Sequence, residues 1–90
     1  MADDREMVEA TVREAMVDVL GLETERAAAF DDTSPLFGAI PELDSMAVAT
    51  LLTELEDRLG ITIDDDDVDA EAFETFGSLV AFAAAKALAA

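Results

Sequence analysis

A chain of 90 residues with no histidine and no cysteine has few ways to do chemistry. Ser–His and Cys–His nucleophilic pairs cannot be assembled from it. The commonest general base and metal ligand is missing, and so is any thiol for a disulfide or a zinc site. What remains is a surplus of carboxylates and three serines, Ser34, Ser45 and Ser78. Ser34 precedes Pro35 in a turn-rich stretch, and Ser78 follows Gly77 early in a helical segment. Ser45 has a different setting: it follows Asp44 at the end of a long loop and opens a helix that begins Met46-Ala47-Val48. A hydroxyl there sits at the positive end of a helix dipole beside unsatisfied backbone N–H groups. A phosphate on that oxygen is favoured by both. The same local pattern also suits a serine that only caps the helix.

The carboxylates concentrate between Glu54 and Glu74, with Asp64-Asp65-Asp66-Asp67 at the centre. A calcium loop of the EF-hand type needs Gly at its sixth position and Glu at its twelfth. Counting from Asp64 gives Asp69 and Thr75; counting from Asp65 gives Ala70 and Phe76. No EF-hand fits, and a solvated, capped helix start is the better reading. No metal site is expected.

The elements that would carry these residues follow from periodicity. Val8, Val12, Ala15, Met16 and Val19 fall at i, i+4, i+7, i+8 and i+11, so Asp4 to Leu20 is read as an amphipathic helix ended by Gly21. Leu22 to Leu43 carries Asp31-Asp32-Thr33-Ser34-Pro35, Gly38 and Pro41, all breaker signals. It also carries Leu22, Phe30, Leu36, Phe37, Ile40 and Leu43. A loop this apolar packs over the helices, with a short helical turn within Glu23–Phe30, and long loops in small domains usually have a function. Ser45 to Leu59 is the second strong helix, capped by Asp44 or Ser45. Leu51, Leu52, Leu55 and Leu59 form its core stripe, and Glu54, Glu56, Asp57 and Arg58 face outward. Ile61-Thr62-Ile63 is an extended connector with no strand partner. A short helix follows the aspartates, with Val68, Ala72 and Phe73 as its buried side. The last helix runs from Thr75 to Leu88, with Phe76, Leu79, Val80, Ala83 and Leu88 on its inner face. The expected fold is an all-α four-helix bundle: three main helices, one short one, and a long loop between the first two.

The charge balance bounds the partners. Five basic against 22 acidic residues give a formal net charge of −17, with 52% hydrophobic residues to build a core. Nucleic acid and anionic membranes repel such a chain, whereas basic protein faces attract it. The start, Met1-Ala2-Asp3-Asp4, lacks the basic region of a signal peptide. The longest apolar run, Leu79 to Ala85, is too short to span a bilayer. A cytoplasmic monomer of one domain, residues 1–90, is expected.

Pro41-Glu42-Leu43-Asp44-Ser45-Met46, followed by a leucine-rich helix and its acidic tail, resembles the attachment motif of acyl carrier proteins. Leu20-Gly21-Leu22 is similar to the end of that family's first helix. Phe73-Glu74-Thr75-Phe76-Gly77-Ser78-Leu79-Val80-Ala81-Phe82 is similar to the approach to its last. Pro-Glu-Leu before Asp-Ser-Met is also similar to stand-alone carriers encoded with bacterial exopolysaccharide and exosortase gene clusters. The resemblance implies a non-catalytic carrier with the acyl-carrier fold. Ser45 would bear 4′-phosphopantetheine, installed from coenzyme A by a phosphopantetheinyl transferase. The terminal thiol of that arm would hold an acyl group as a thioester for a fatty-acid, polyketide or related pathway. Asp44 would assist the transfer chemistry. Met46, Ala49 and Thr53 would face partners, with Glu56 and Asp57 as acidic contacts for the basic faces of acyl-loading and acyl-accepting enzymes. Small residues such as Ala49 and Ala83 would make room for cargo between helices.

Two departures from the family pattern stand out. Positions two and five after the serine, often acidic, are Ala47 and Thr50 here, and Pro41-Glu42-Leu43 stands where a Leu-Gly-Ala turn is common. Both suggest a dedicated pathway with its own partners. The rival readings are an acidic helical adaptor without a prosthetic group, and a peptidyl or aminoacyl carrier sharing the same serine.

Overall fold

A computed structural model describes residues 2–36, 38–64, 67–68 and 70–88. Helix α1 spans Ala2–Leu20, α2 Thr24–Ala28, α3 Ser45–Leu59 and α4 Phe76–Ala87, with a 3₁₀ turn over Ala70–Phe73 before α4. No strand occurs among the described residues, and the expected all-α bundle with three long helices is what forms. No helix among them is long and apolar enough to cross a membrane.

The first helix ends as its sequence requires. Gly21 takes φ +68°, and its N–H donates to Val17 O at 3.0 Å. Val8, Val12, Ala15 and Met16 are fully buried on one side of α1, which packs against α3 and α4. Leu51 and Leu55 of α3 and Phe76, Leu79, Val80 and Ala83 of α4 complete the centre.

The long loop belongs to the core. Leu22, Leu36, Ile40 and Leu43 are buried and Phe30 is half-buried. Each buried aliphatic side chain stabilises by roughly 1.5–3 kcal/mol. Phe37, expected to join them, lies outside the described residues. The loop also supplies what the start of α4 lacks. The first N–H groups of a helix have no partner within it; here Phe76 N–H donates to Ser34 O at 2.8 Å and Gly77 N–H to Asp32 O at 3.1 Å. Leu36 N–H returns a bond to Glu74 O at 3.1 Å, making an isolated bridge between Pro35 and Thr75.

Gly77 is required by this approach. A Cβ built on it would lie 2.6 Å from Asp32 O and 2.9 Å from Asp32 Cα.

Arg13 fastens the other side of the loop. Its guanidinium donates to Ala27 O and to Phe30 O (3.1 Å), pairs with Glu9 at 3.3 Å, and lies 4.6 Å above the Phe76 ring. Phe76 in turn stacks at a tilt on Phe30, with centroids 5.7 Å apart.

Two expectations change. Leu88, expected on the inner face of α4, is 43% exposed, because α4 ends at Ala87 and Leu88 serves as its C-cap. The short helix after the aspartates is 3₁₀ in type. Asp67 N–H donates to Asp64 O at 2.9 Å, and Asp64 N–H reaches Asp67 Oδ2 at 3.1 Å. Ala72 and Phe73 are buried as expected and Val68 is half-buried. Asp65, Asp66 and Asp69 lie outside the described residues.

Candidate functional site

The three serines separate by their hydrogen bonds. Ser34 Oγ accepts Asp31 N–H at 2.9 Å within a turn organised by the Asp31 carboxylate, which also accepts from Thr33 N–H and the Thr33 hydroxyl. Those Thr33 bonds hold the Asp31 carboxyl below the usual carboxylate range. Ser78 is spent in a capping box: its N–H donates to Thr75 Oγ1 at 3.0 Å, and its Oγ accepts Thr75 N–H at 3.0 Å. Ser45 is exposed, and its hydroxyl has no hydrogen-bond partner among the described residues.

The reason lies one residue earlier. Asp44 is the N-cap of α3, in extended conformation, and its Oδ1 accepts Ala47 N–H at 2.8 Å. Its carbonyl takes the first helical bond, from Val48 N–H at 2.9 Å. Ser45 is therefore the first helical residue rather than the cap. The aspartate does the capping and leaves the serine oxygen facing outward.

Ser45 stands at one end of a groove of about 390 Å³ between α3 and the connector after it. Val48, Ala49, Leu52, Ile63 and Val68 form its apolar lining, and Thr53 and Glu56 stand at the far end from Ser45 along α3. The connector is held in place by polar contacts. Gly60 takes φ +64° and ends α3 in a left-handed cap. Glu56 O accepts both Gly60 N–H and Ile61 N–H, and Glu56 Oε2 accepts Ile63 N–H at 2.8 Å. Farther on, Lys86 Nζ of α4 pairs with Asp67 Oδ2 at 2.6 Å, which holds the Asp67 carboxyl below its ordinary range.

Of the residues singled out in the sequence, Ser45, Met46, Ala49, Thr53 and Asp57 are all exposed on one side of α3. Glu56 is half-buried in the groove wall. Ala83 is fully buried in the core and does not line the groove, so Ala49 alone of the two small residues makes room there. Sequence reasoning misses the connector's part. It makes Ile63 a spacer and Val68 a helix face, yet together they form the wall opposite α3.

The chain matches the protein-family model described as the phosphopantetheine attachment site over residues 10–83. It is also 33% identical over 78 residues to an acyl carrier protein of Exiguobacterium sp. (strain ATCC BAA-1283 / AT1b), covering 87% of this chain and 91% of that one. The chain belongs to the acyl carrier protein family. Its fold is similar to the solution structure of a holo acyl carrier protein from Nitrosomonas europaea, with a TM-score of 0.74 and 48% identity, covering 83% of this chain and 88% of that one. As a member of the family it takes a covalently attached 4′-phosphopantetheine. An exposed, unbonded hydroxyl at the mouth of an apolar groove fits such a group. The adaptor reading, which has no prosthetic group, falls away. An acyl carrier also needs no catalytic side chain of its own, in keeping with a composition that offers neither histidine nor thiol.

Proposed function

We propose that Ser45 Oγ is the attachment point and that residues 1–90 act as one carrier domain. The observation that carries this is the division of labour at the start of α3: Asp44 caps the helix, so Ser45 is exposed, while Ser34 and Ser78 are engaged. When bound, the arm supplies a thiol that holds an acyl group as a thioester. The chain's own residues do the rest. Ser45 gives the oxygen of the phosphodiester. Asp44 keeps that oxygen free and places a carboxylate beside the transferase's chemistry. The groove lined by Val48, Leu52, Ile63 and Val68 offers an apolar bed for cargo.

The partners are a phosphopantetheinyl transferase and the enzymes that load and accept the acyl group. Their pathway is a dedicated one within fatty-acid, polyketide or related biosynthesis, the exopolysaccharide-linked type included. The support is the uncharged pair Ala47 and Thr50 in the first turns of α3. A peptidyl or aminoacyl carrier would use the same serine and differ in its partners.

Intact mass tests the attachment. Incubation with coenzyme A, Mg²⁺ and a broad-specificity phosphopantetheinyl transferase should add the mass of one phosphopantetheine to the wild type and none to Ser45→Ala. Absence of the gain in the wild type, or its persistence in Ser45→Ala, refutes the assignment.

A further inference from the structure

The groove beside Ser45 is apolar along its length and ends on acceptors. Val48, Leu52, Ile63 and Val68 line it, and Thr53 and Glu56 stand at the end away from Ser45. The Thr53 hydroxyl donates to Ala49 O at 3.1 Å, so its oxygen is left only to accept. Glu56 is held by the connector. Its Oε2 accepts Ile63 N–H at 2.8 Å, and its carbonyl accepts the N–H groups of Gly60 and Ile61. These bonds fix the carboxylate in the groove wall. They leave its Oε1 without a hydrogen-bond partner among the described residues.

The cations of α3 and α4 are engaged elsewhere. Arg58 is taken by Asp18 at 2.6 Å and by Glu54 at 3.0 Å, and Lys86 by Asp67. The core behind the groove is filled: Leu51, Leu55, Leu79 and Ala83 are fully buried, and none of them lines it. A chain entering beside Ser45 therefore stays between α3 and the connector, and its far end comes to Thr53 and Glu56. An alkyl end there strips water from a carboxylate oxygen and returns no hydrogen bond. A donor replaces that water with a charge-assisted bond.

We propose that this groove selects an acyl group whose far end carries a hydrogen-bond donor, a hydroxyl or an ammonium, accepted by Glu56 Oε1. The proposal rests on Ser45 being the attachment site and on the groove being the bed for cargo. Glu56 sets the specificity because it is the one charged residue lining the groove.

The test loads the wild type and Glu56→Gln from coenzyme A thioesters with a broad-specificity transferase. The acyl groups are hexanoyl and octanoyl bearing an ω-hydroxyl or an ω-ammonium, each beside the alkyl group in which a methyl replaces the donor. The readout is the amide shift of Ile63 by NMR, relative to the protein carrying the arm alone, because Ile63 N–H sits on the same carboxylate. In the wild type at least one donor should move Ile63 about fivefold more than its methyl counterpart, as expected for a hydrogen bond to a charged group. The hydroxyl and ammonium arms show which donor the groove prefers. Glu56→Gln keeps an acceptor for Ile63 N–H and turns the other atom into a donor. Its amide spectrum should show the fold intact, and the ammonium should move Ile63 within about twofold of the methyl group. General attraction of an ammonium to an acidic molecule would survive that substitution. The proposal is overturned if the methyl groups move Ile63 as much as both donors at both lengths, or if a preference for the ammonium persists in Glu56→Gln. A mass gain on Ser45→Ala, or none on the wild type, is a different result: it removes the attachment reading, and this proposal with it.

Discussion

The Ser45 hydroxyl is free because Asp44 accepts the amide that a capping serine would otherwise take. Replacing Asp44 by Ala would remove a cap of about 1 kcal/mol, so loss of modification in that variant would mix stability with chemistry. The neighbouring neutral positions give a cleaner handle. Ala47 is half-buried and Thr50 is exposed, its hydroxyl satisfied by Met46 O at 3.0 Å. Carboxylates placed there would create the acidic face this protein lacks near its serine. Ala47→Asp and Thr50→Glu should therefore raise loading or acyl transfer by a generic fatty-acid-synthesis enzyme with a basic face. If neither substitution produces a gain, the dedicated-pathway reading fails.

At the scale of elements, the junction between the long loop and α4 carries much of the architecture. Gly77 lies in the first turn of α4, where alanine would normally gain about 1 kcal/mol of helix propensity. Here the added Cβ would meet the Asp32 backbone at 2.6 Å, and backbone cannot rotate away. Overpacking of this kind costs roughly 1–3 kcal/mol, so the clash outweighs the propensity. Gly77→Ala should lower the denaturant midpoint, and an unchanged or raised midpoint would show that the loop can withdraw freely. The few cations serve the same end. Arg26 ties α2 to Glu42, Arg58 ties α3 to Asp18 of α1 at 2.6 Å, and Lys86 ties α4 to the groove wall at Asp67. Asp18 and Glu54 raise the pKa of Arg58 further, so that clip stays charged at any working pH. Exposed pairs contribute only about 0–1 kcal/mol each. Their effect is on which elements lie together more than on total stability.

Over the whole molecule two opposed charge effects set the response to solution conditions. Among the described residues three carboxyls are held below the ordinary range: Asp31 by Thr33, Glu42 by its own backbone amide and by Arg26, and Asp67 by Lys86. A depressed folded-state pKa means that the unfolded chain binds more protons in that window. The stabilisation is present above the ordinary carboxylate range and is lost as the pH falls through about 4 and below. Melting temperature should therefore drop on acidification past pH 4, more at low salt than at high, since these contacts are exposed. Near neutral pH the larger effect is self-repulsion among the charges of a chain at −17. Millimolar Mg²⁺ or Ca²⁺ at low salt should raise the melting temperature, and a curve that does not move would refute that account.

The helices, their ends and the candidate serine were legible in the chain alone. Periodicity of apolar residues marks α1 and α3, Gly21 and Gly60 mark their ends, and Asp44-Ser45-Met46 with its flanking landmarks points to the carrier family. Each is a local signal, written within a few turns of one segment. Other features depend on residues far apart. Nothing in the sequence near Arg13 says that its guanidinium would close on Ala27, Phe30 and Phe76. A glycine inside a helical pattern hints at close approach, but only the folded loop names Asp32 as what approaches Gly77. Likewise Ile63 and Val68 become a groove wall only once Glu56 and Lys86 fix the connector. The sequence by itself determined a small acidic helical carrier with one well-placed serine, because helix periodicity, capping and motif are short-range properties. The tertiary structure alone decided that a groove opens beside that serine and that the loop after α2 closes on the start of α4. Those outcomes depend on groups that meet across the fold, Lys86 with Asp67 and the α4 amides with Ser34 and Asp32, and pairing at a distance is not written in neighbouring residues.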